Sequence, residues 1–158
     1  MLYFAYGANL LLRGMKRRCP KATPLSAGVL KGYRLEFRTY VTIVPEPSAQ
    51  TFGALYELTP GCWRGLDDYE GSTYKKITVT VETSDGPREA TAYIMHAGVR
   101  MPPSVAYYGD IARGYGDWKL DVKHLRSARL ATLHAENSKP AKAAKAQVPP
   151  RGGAVGPR

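Results

Sequence analysis

Short apolar runs separated by turn residues, with a few stretches of helical period between them, set the pattern of this chain. The opening run "LYFAYG" reads as a short strand, and Asn9 follows where it can cap a helix whose apolar positions include Leu10, Leu11 and Met15. Pro20 and Pro24 stop that helix. Alternation and aromatic content return in Gly28 to Arg38 and in Thr51 to Leu58, which predicts two strands joined by a proline-containing loop around "VPEPSAQ". Thr59 followed by Pro60 starts a second helix, in which Cys62, Trp63, Leu66 and Tyr69 recur at helical spacing until Gly71. "KITVTVET" and "REATAYIM" flank "SDGP", the pattern of a hairpin with its turn residues in place. Beyond it, "PPSVAYYGDIARG" opens with a Pro-Ser helix start, and a last amphipathic stretch runs through Leu125, Leu130 and Leu133. The chain shows no internal repeat and no regular β-α-β alternation. Strands dominate and short helices are intercalated, so the expected class is α+β, with a mixed, barrel-like sheet.

Composition bounds the alternatives. At 158 residues and 44% hydrophobic, the chain can bury one ordinary core. The first positive charge is Arg13, and the early apolar run is cut by Gly7 and Asn9, which argues against a secretory signal. No stretch approaches the roughly 20 apolar residues of a membrane helix. Cys19 and Cys62 match neither a disulfide framework nor a metal spacing and read as buried or indifferent thiols. A cytoplasmic protein with no membrane partner is the expectation.

The net charge of +10 raises the question of nucleic acid, and its distribution answers it. From Lys119 onward there are nine Lys/Arg against two Asp/Glu, so most of the excess lies at the end of the chain. The stretch from Asn137, "NSKPAKAAKAQVPPRGGAVGPR", has almost no large apolar residue and cannot offset its ordering entropy. The expected division is therefore a folded domain over 1–136 and a disordered basic tail over 137–158. Any contact with nucleic acid is expected to be nonspecific and confined to that tail. The body lacks the interleaved aromatic and basic face of a nucleic-acid module. The pattern leaves the oligomeric state open.

Two short segments can carry chemistry. In "YGANL" a glycine follows a strand, and consecutive N–H groups at such a turn can form a concavity for a carboxylate or a developing oxyanion. In "LDDYE" three carboxylates crowd a helix exit. Alone, each is an ordinary structural feature: a capped turn and a solvated helix end. His96, His124 and His134 have no carboxylate or cysteine at metal-ligand spacing, and neither a G-x-S-x-G elbow nor a phosphate loop is present. Arg34, Arg38 and Arg113 can balance a substrate carboxylate, with nothing local to single one out.

Taken together and in order, "YGANL", "FGALYELT", "LDDYEGSTY" and "PPSVAYYGDIARG" resemble the gamma-glutamylcyclotransferase-like (AIG2-like) family over roughly residues 2 to 118. The resemblance implies a small mixed β-barrel with short flanking helices, whose first-strand loop and one glutamate line a cavity for a gamma-glutamyl group. It implies an enzyme that releases an amine, amino acid or peptide and closes the glutamyl part into 5-oxoproline, with no metal and no cofactor. By the same resemblance, Tyr6, Gly7, Ala8, Asn9 and Leu10 fall on the substrate loop, although serine stands in the family pattern where this chain has Ala8. Glu70 falls on the general acid/base, its pKa expected to be lifted by burial or by Asp67 or Asp68. Tyr74 and Tyr107 match cavity tyrosines, with Tyr108 competing for the place of Tyr107. The alternative function is a non-catalytic small-molecule-binding module on the same fold.

Overall fold

The computed structural model describes residues 1–137. The segment read as a basic tail lies, from residue 138 on, outside the described residues. Its elements run β1 (Leu2–Ala5), a 3-10 turn (Ala8–Leu10), α1 (Leu12–Arg18), β2 (Thr23–Arg38), β3 (Tyr40–Glu57), α2 (Pro60–Glu70), a second 3-10 turn (Gly71–Thr73), β4 (Tyr74–Thr83), β5 (Gly86–Met95), α3 (Val105–Asp117) and α4 (Val122–Asn137). The five strands close into a barrel in the order β1-β3-β2-β4-β5. All neighbours are antiparallel except β1 and β5, which meet in parallel at Tyr3 and Thr91. This is the mixed barrel with short helices that the strand-rich pattern implies.

Two expectations about local structure need correction. The segment "VPEPSAQ" is not a loop but part of β3. The β2–β3 register shifts between Lys31 and Tyr33: Lys31 pairs with Gln50 and Tyr33 with Pro45, so Pro45 stands at the edge of the irregularity and Pro47 falls where no residue of β2 is paired with it. A proline lacks the ladder N–H, and at such an irregularity none is needed. Asn9 is likewise no helix cap. Leu11 occupies the N-cap of α1 without a side-chain bond, and the Asn9 amide turns inward. The other helix starts follow their sequence signals, with Thr59 Oγ1 accepting from Cys62 N and Ser104 Oγ from Tyr107 N. In α4, Leu125 is buried but Leu130 is exposed, because the helix lays only one narrow face on the barrel.

Phe4, Phe37, Leu55, Val81, Ala92 and Leu66 are among the fully buried side chains. Cys19 and Cys62 are free and buried, with Cys19 Sγ 3.5 Å from the Cys62 carbonyl oxygen. The feature that matters for function is how α3 presses on the loop after β1. A Cβ at Gly114 would stand 2.7 Å from the backbone N of Leu11, so only glycine allows this approach. Trp118 Nε1 then donates to the Leu10 carbonyl at 2.9 Å, and Leu12 N donates to Asp117 Oδ2 at 3.0 Å. The first-strand loop is therefore clamped from outside by α3 and opens only toward the barrel end.

Candidate active site

A cavity of about 250 Å³ opens at that end. It is smaller than the roughly 300–1,000 Å³ of pockets for drug-sized ligands and suits a group of amino-acid size. It is lined by Tyr3, Tyr6 and Tyr93, by Gly7, Ala8 and Asn9 of the loop after β1, and by Val41, Thr73, Tyr74 and Tyr107. Tyr40 and Tyr69, about half exposed, also line it and form its rim.

Glu70 reaches the cavity because of helical period. Cys62 and Leu66 lie on the buried face of α2, and Glu70 is the next step of four on that face, at the last turn of the helix. Burial pushes its carboxyl up to about 7, while the charge of Arg18 and a hydrogen bond from Asn9 pull in the opposite direction. Neighbouring acids play no part in the shift, contrary to one of the two expected causes. Asp67 points elsewhere: Lys76 Nζ lies 2.8 Å from its carboxylate and Tyr93 donates to Oδ1 at 2.6 Å. Burial would raise Asp67, but those bonds outweigh it and hold it below its ordinary value. Asp68 is exposed and does not line the cavity.

The loop after β1 is held by its side chains as much as by its backbone. Asn9 Nδ2 donates to Tyr3 Oη at 2.9 Å and to Glu70 Oε1 at 3.2 Å, its Oδ1 accepts from Arg18 Nη1 at 2.9 Å, and its carbonyl accepts from Tyr56 Oη at 3.1 Å. Every polar atom of the side chain is thereby engaged. Leu10 does not line the cavity: its side chain is buried in the core and its N–H bonds the Gly7 carbonyl at 2.9 Å. The N–H groups of Ala8 and Asn9 open the 3-10 turn and have no partner within it, as at any helix start. The need for glycine at position 7 has a local cause. A Cβ there would stand 2.5 Å from Val41 Cγ1, so the glycine permits contact between loop and β3.

The tyrosines divide clearly. Tyr74 Oη donates to the Val41 carbonyl at 2.8 Å, and Val41 N donates to Tyr107 Oη at 3.2 Å, so the two phenols hold the peptide groups on either side of Val41. Tyr6 donates to the Tyr93 carbonyl. Tyr108 faces away and packs on Phe37 and under the Arg129 guanidinium, which settles its competition with Tyr107 for the cavity wall. Burial first, then mutual repulsion with Glu70 and neighbouring phenols, pushes Tyr3, Tyr6 and Tyr74 well above ordinary phenol values. The cavity is consequently walled by neutral hydroxyls around one carboxyl.

The three arginines considered for a substrate carboxylate are not at the cavity. Arg34 and Arg38, with Arg100, bond the buried Glu36, and Arg113 pairs with Asp110. Arg18, absent from that reading, is the arginine closest in effect to the site. Its Nη2 also donates to Tyr69 Oη at 3.2 Å, and its guanidinium lies 4.3 Å over the Tyr69 ring. Val41, Tyr3 and Tyr93 were also beyond sequence reasoning, because barrel closure alone brings β1, β3 and β5 to one end. Among the described residues no group of three or more His, Cys, Asp or Glu is placed to hold a metal. None of the described helices is long and apolar enough to cross a membrane.

The model of the family described as "Gamma-glutamyl cyclotransferase, AIG2-like" matches residues 3–120. The chain belongs to this family. It is 32% identical over 130 residues to the gamma-glutamylcyclotransferase of Bos taurus, covering 72% of this chain and 69% of that one. The Homo sapiens protein of the same name is 31% identical over the same shares. Among solved structures, one titled "Gamma-glutamyl cyclotransferase" superposes with a TM-score of 0.75 at 24% identity, covering 92% of this chain and 91% of that one. At that identity the likeness establishes the shared fold.

Proposed function

We propose that this cavity is the active site of a gamma-glutamyl cyclotransferase, converting a gamma-glutamyl amine, amino acid or peptide to 5-oxoproline and the free amine, with Glu70 as general acid/base. The observation that carries the reading is a single carboxyl, partly buried, hydrogen-bonded by Asn9 and pushed up to about 7 by desolvation, in a cavity of amino-acid size. The substrate's α-nitrogen is largely an ammonium at neutral pH and must lose a proton before it can attack the γ-carbonyl carbon. The Glu70 carboxylate takes that proton. As the tetrahedral centre collapses, the bond from carbon to the departing nitrogen breaks and Glu70 returns the proton to that nitrogen. The ring nitrogen then still carries one proton more than the lactam, and Glu70, again a carboxylate, relays it to the released amine. The α-nitrogen thus loses two protons, the departing amine gains two, and the reaction consumes no net proton and no oxidant. Enclosure keeps the amine close to the carbonyl it attacks. The N–H groups of Ala8 and Asn9 offer donors to the glutamyl carboxylate or to the developing oxyanion. The substrate tyrosines, Tyr6, Tyr74 and Tyr107, act mainly by shaping the wall, since their hydroxyls bond backbone or face it. The protein acts in the cytoplasm on a small molecule.

The test is incubation of the purified protein with a panel of gamma-glutamyl amines, amino acids and peptides, with 5-oxoproline followed by mass spectrometry. Formation of 5-oxoproline with stoichiometric free amine is the expected result. One feature, Ala8 in place of the family's serine, favours a second reading as a binding module. Measurable binding of gamma-glutamyl compounds with no 5-oxoproline from any of them would replace the first reading with the second.

A further inference from the structure

Arg18 is at the end of α1, nine residues from Asn9 in sequence, and does not line the cavity. Its guanidinium is nonetheless locked in place by a bond to Asn9 Oδ1, a bond to Tyr69 Oη and the face of the Tyr69 ring. Such a planar fork fixes direction as well as charge. Because Oδ1 of Asn9 accepts from a guanidinium, which can only donate, the Asn9 amide has one possible orientation: Nδ2 must point to Tyr3 and Glu70. Reversing the amide would set its NH2 against Arg18 and leave Glu70 and Tyr3 facing an oxygen. We propose that Arg18 is a positioning residue for Glu70, acting through the orientation of Asn9 and through its own fixed positive charge. The role rests on the cyclotransferase reading above.

The surroundings isolate this effect. From β1 the groups facing Glu70 are Tyr3 and Tyr6, from β4 Tyr74, from β5 Tyr93 and from α3 Tyr107, and burial keeps all five phenols neutral. From its own helix come Tyr69, bonded to Arg18, and Asp67, which is neutralised by Lys76. Arg18 is thus the charged side chain whose field acts on the carboxyl. Without it, the cost of burying a carboxylate would be opposed by the Asn9 amide alone, and the ionised form needed to accept a proton would appear only at higher pH.

Arg18→Met keeps the aliphatic stem and removes charge and donors, and Arg18→Lys keeps the charge and removes the fork. Both leave the core intact, and thermal melts check folding. The Glu70 carboxyl is titrated by carbon-13 NMR in the full-length proteins without substrate, and kcat and KM are then measured across pH. In Arg18→Met the Glu70 titration should move up by about one pH unit, with the acidic limb of kcat/KM moving alongside it. In Arg18→Lys the titration should stay near the wild-type value, while kcat at the pH plateau falls about tenfold with KM changed much less. A purely structural role would lower the melting temperature and leave the titration unmoved. An unmoved Glu70 titration in a folded Arg18→Met protein would overturn the proposal. The NMR arm needs no turnover, so its failure is separate from failure of the activity assay in the wild-type protein, which would sink the cyclotransferase reading instead.

Discussion

Replacing Glu70 with glutamine should make the protein more stable, and increasingly so as pH rises. Glutamine is isosteric and its carbonyl oxygen can still accept the Asn9 Nδ2 bond that Oε1 accepts now. Only the ionisable proton is lost. In the folded protein the carboxyl titrates at about 7, against an ordinary value of 4.5, because burial favours the neutral form. Between those two pH values the native state holds a proton that the unfolded chain has released, so wild-type stability falls as pH rises through this window. At 1.36 kcal/mol for each pH unit of difference, the whole effect is on the order of 3 kcal/mol. The glutamine variant has no such loss. Stability should therefore differ little between the two proteins near pH 4.5, apart from a constant offset, and the variant should lead by about 3 kcal/mol above pH 8. Urea unfolding of both proteins at intervals from pH 5 to 8 measures this directly, since all other titrating groups are shared and cancel in the difference. A difference that stays constant across that range would mean that Glu70 is solvated in the folded protein, and the acid/base reading would lose its physical basis.

The remaining expectations concern the loop and the end of the chain. Gly7→Ala places a Cβ 2.5 Å from Val41 Cγ1 and should lower stability by about 1–3 kcal/mol along with kcat/KM. Adding Val41→Ala removes the clashing methyl and should recover much of the stability, whereas additive losses in the double variant would show that the clash is not the cause. Ala8→Ser, by contrast, should be tolerated, with turnover equal to or above wild type. Removal of residues 138–158 should leave the melting temperature and turnover unchanged and weaken salt-sensitive binding to polyanions; a large loss of turnover would tie that segment to the site.

Much of this architecture was legible in local signals. Thr59-Pro60 and Ser104 mark helix starts by the bonds their oxygens accept, and "SDGP" marks the turn between β4 and β5. The motif residues Gly7, Ala8, Asn9, Glu70, Tyr74 and Tyr107 all arrive at one cavity, whereas Leu10 does not, because its N–H and side chain serve the turn and the core. What local pattern could not show is set by long-range closure. Asn9 reads as a cap from its neighbours, yet its partners are Tyr3, Arg18, Tyr56 and Glu70, which the folded barrel brings to it. Arg18 carries no local signal of its role: it sits with Lys16 and Arg17 in the last turn of α1, and only the packing of α1 beside α2 turns it toward Tyr69. The prolines of β3 hide a strand because the irregularity that accommodates them, four β3 residues facing Gly32 alone, is defined only by the pairing of β3 with β2.

The most direct test of the central claim compares wild type with Glu70→Gln on a gamma-glutamyl substrate that wild type cyclises, measuring kcat by 5-oxoproline formation and substrate affinity by calorimetry on the same preparations. General acid/base catalysis at Glu70 requires a loss in kcat of at least ~10²-fold in the folded variant, with affinity changed far less. The wild-type profile of kcat/KM should fall on the acidic side with an apparent pKa near the value of about 7 that burial imposes, and the variant should lack that limb. Near wild-type turnover by the glutamine protein would contradict the account, and the proton would then have to move through a group other than Glu70.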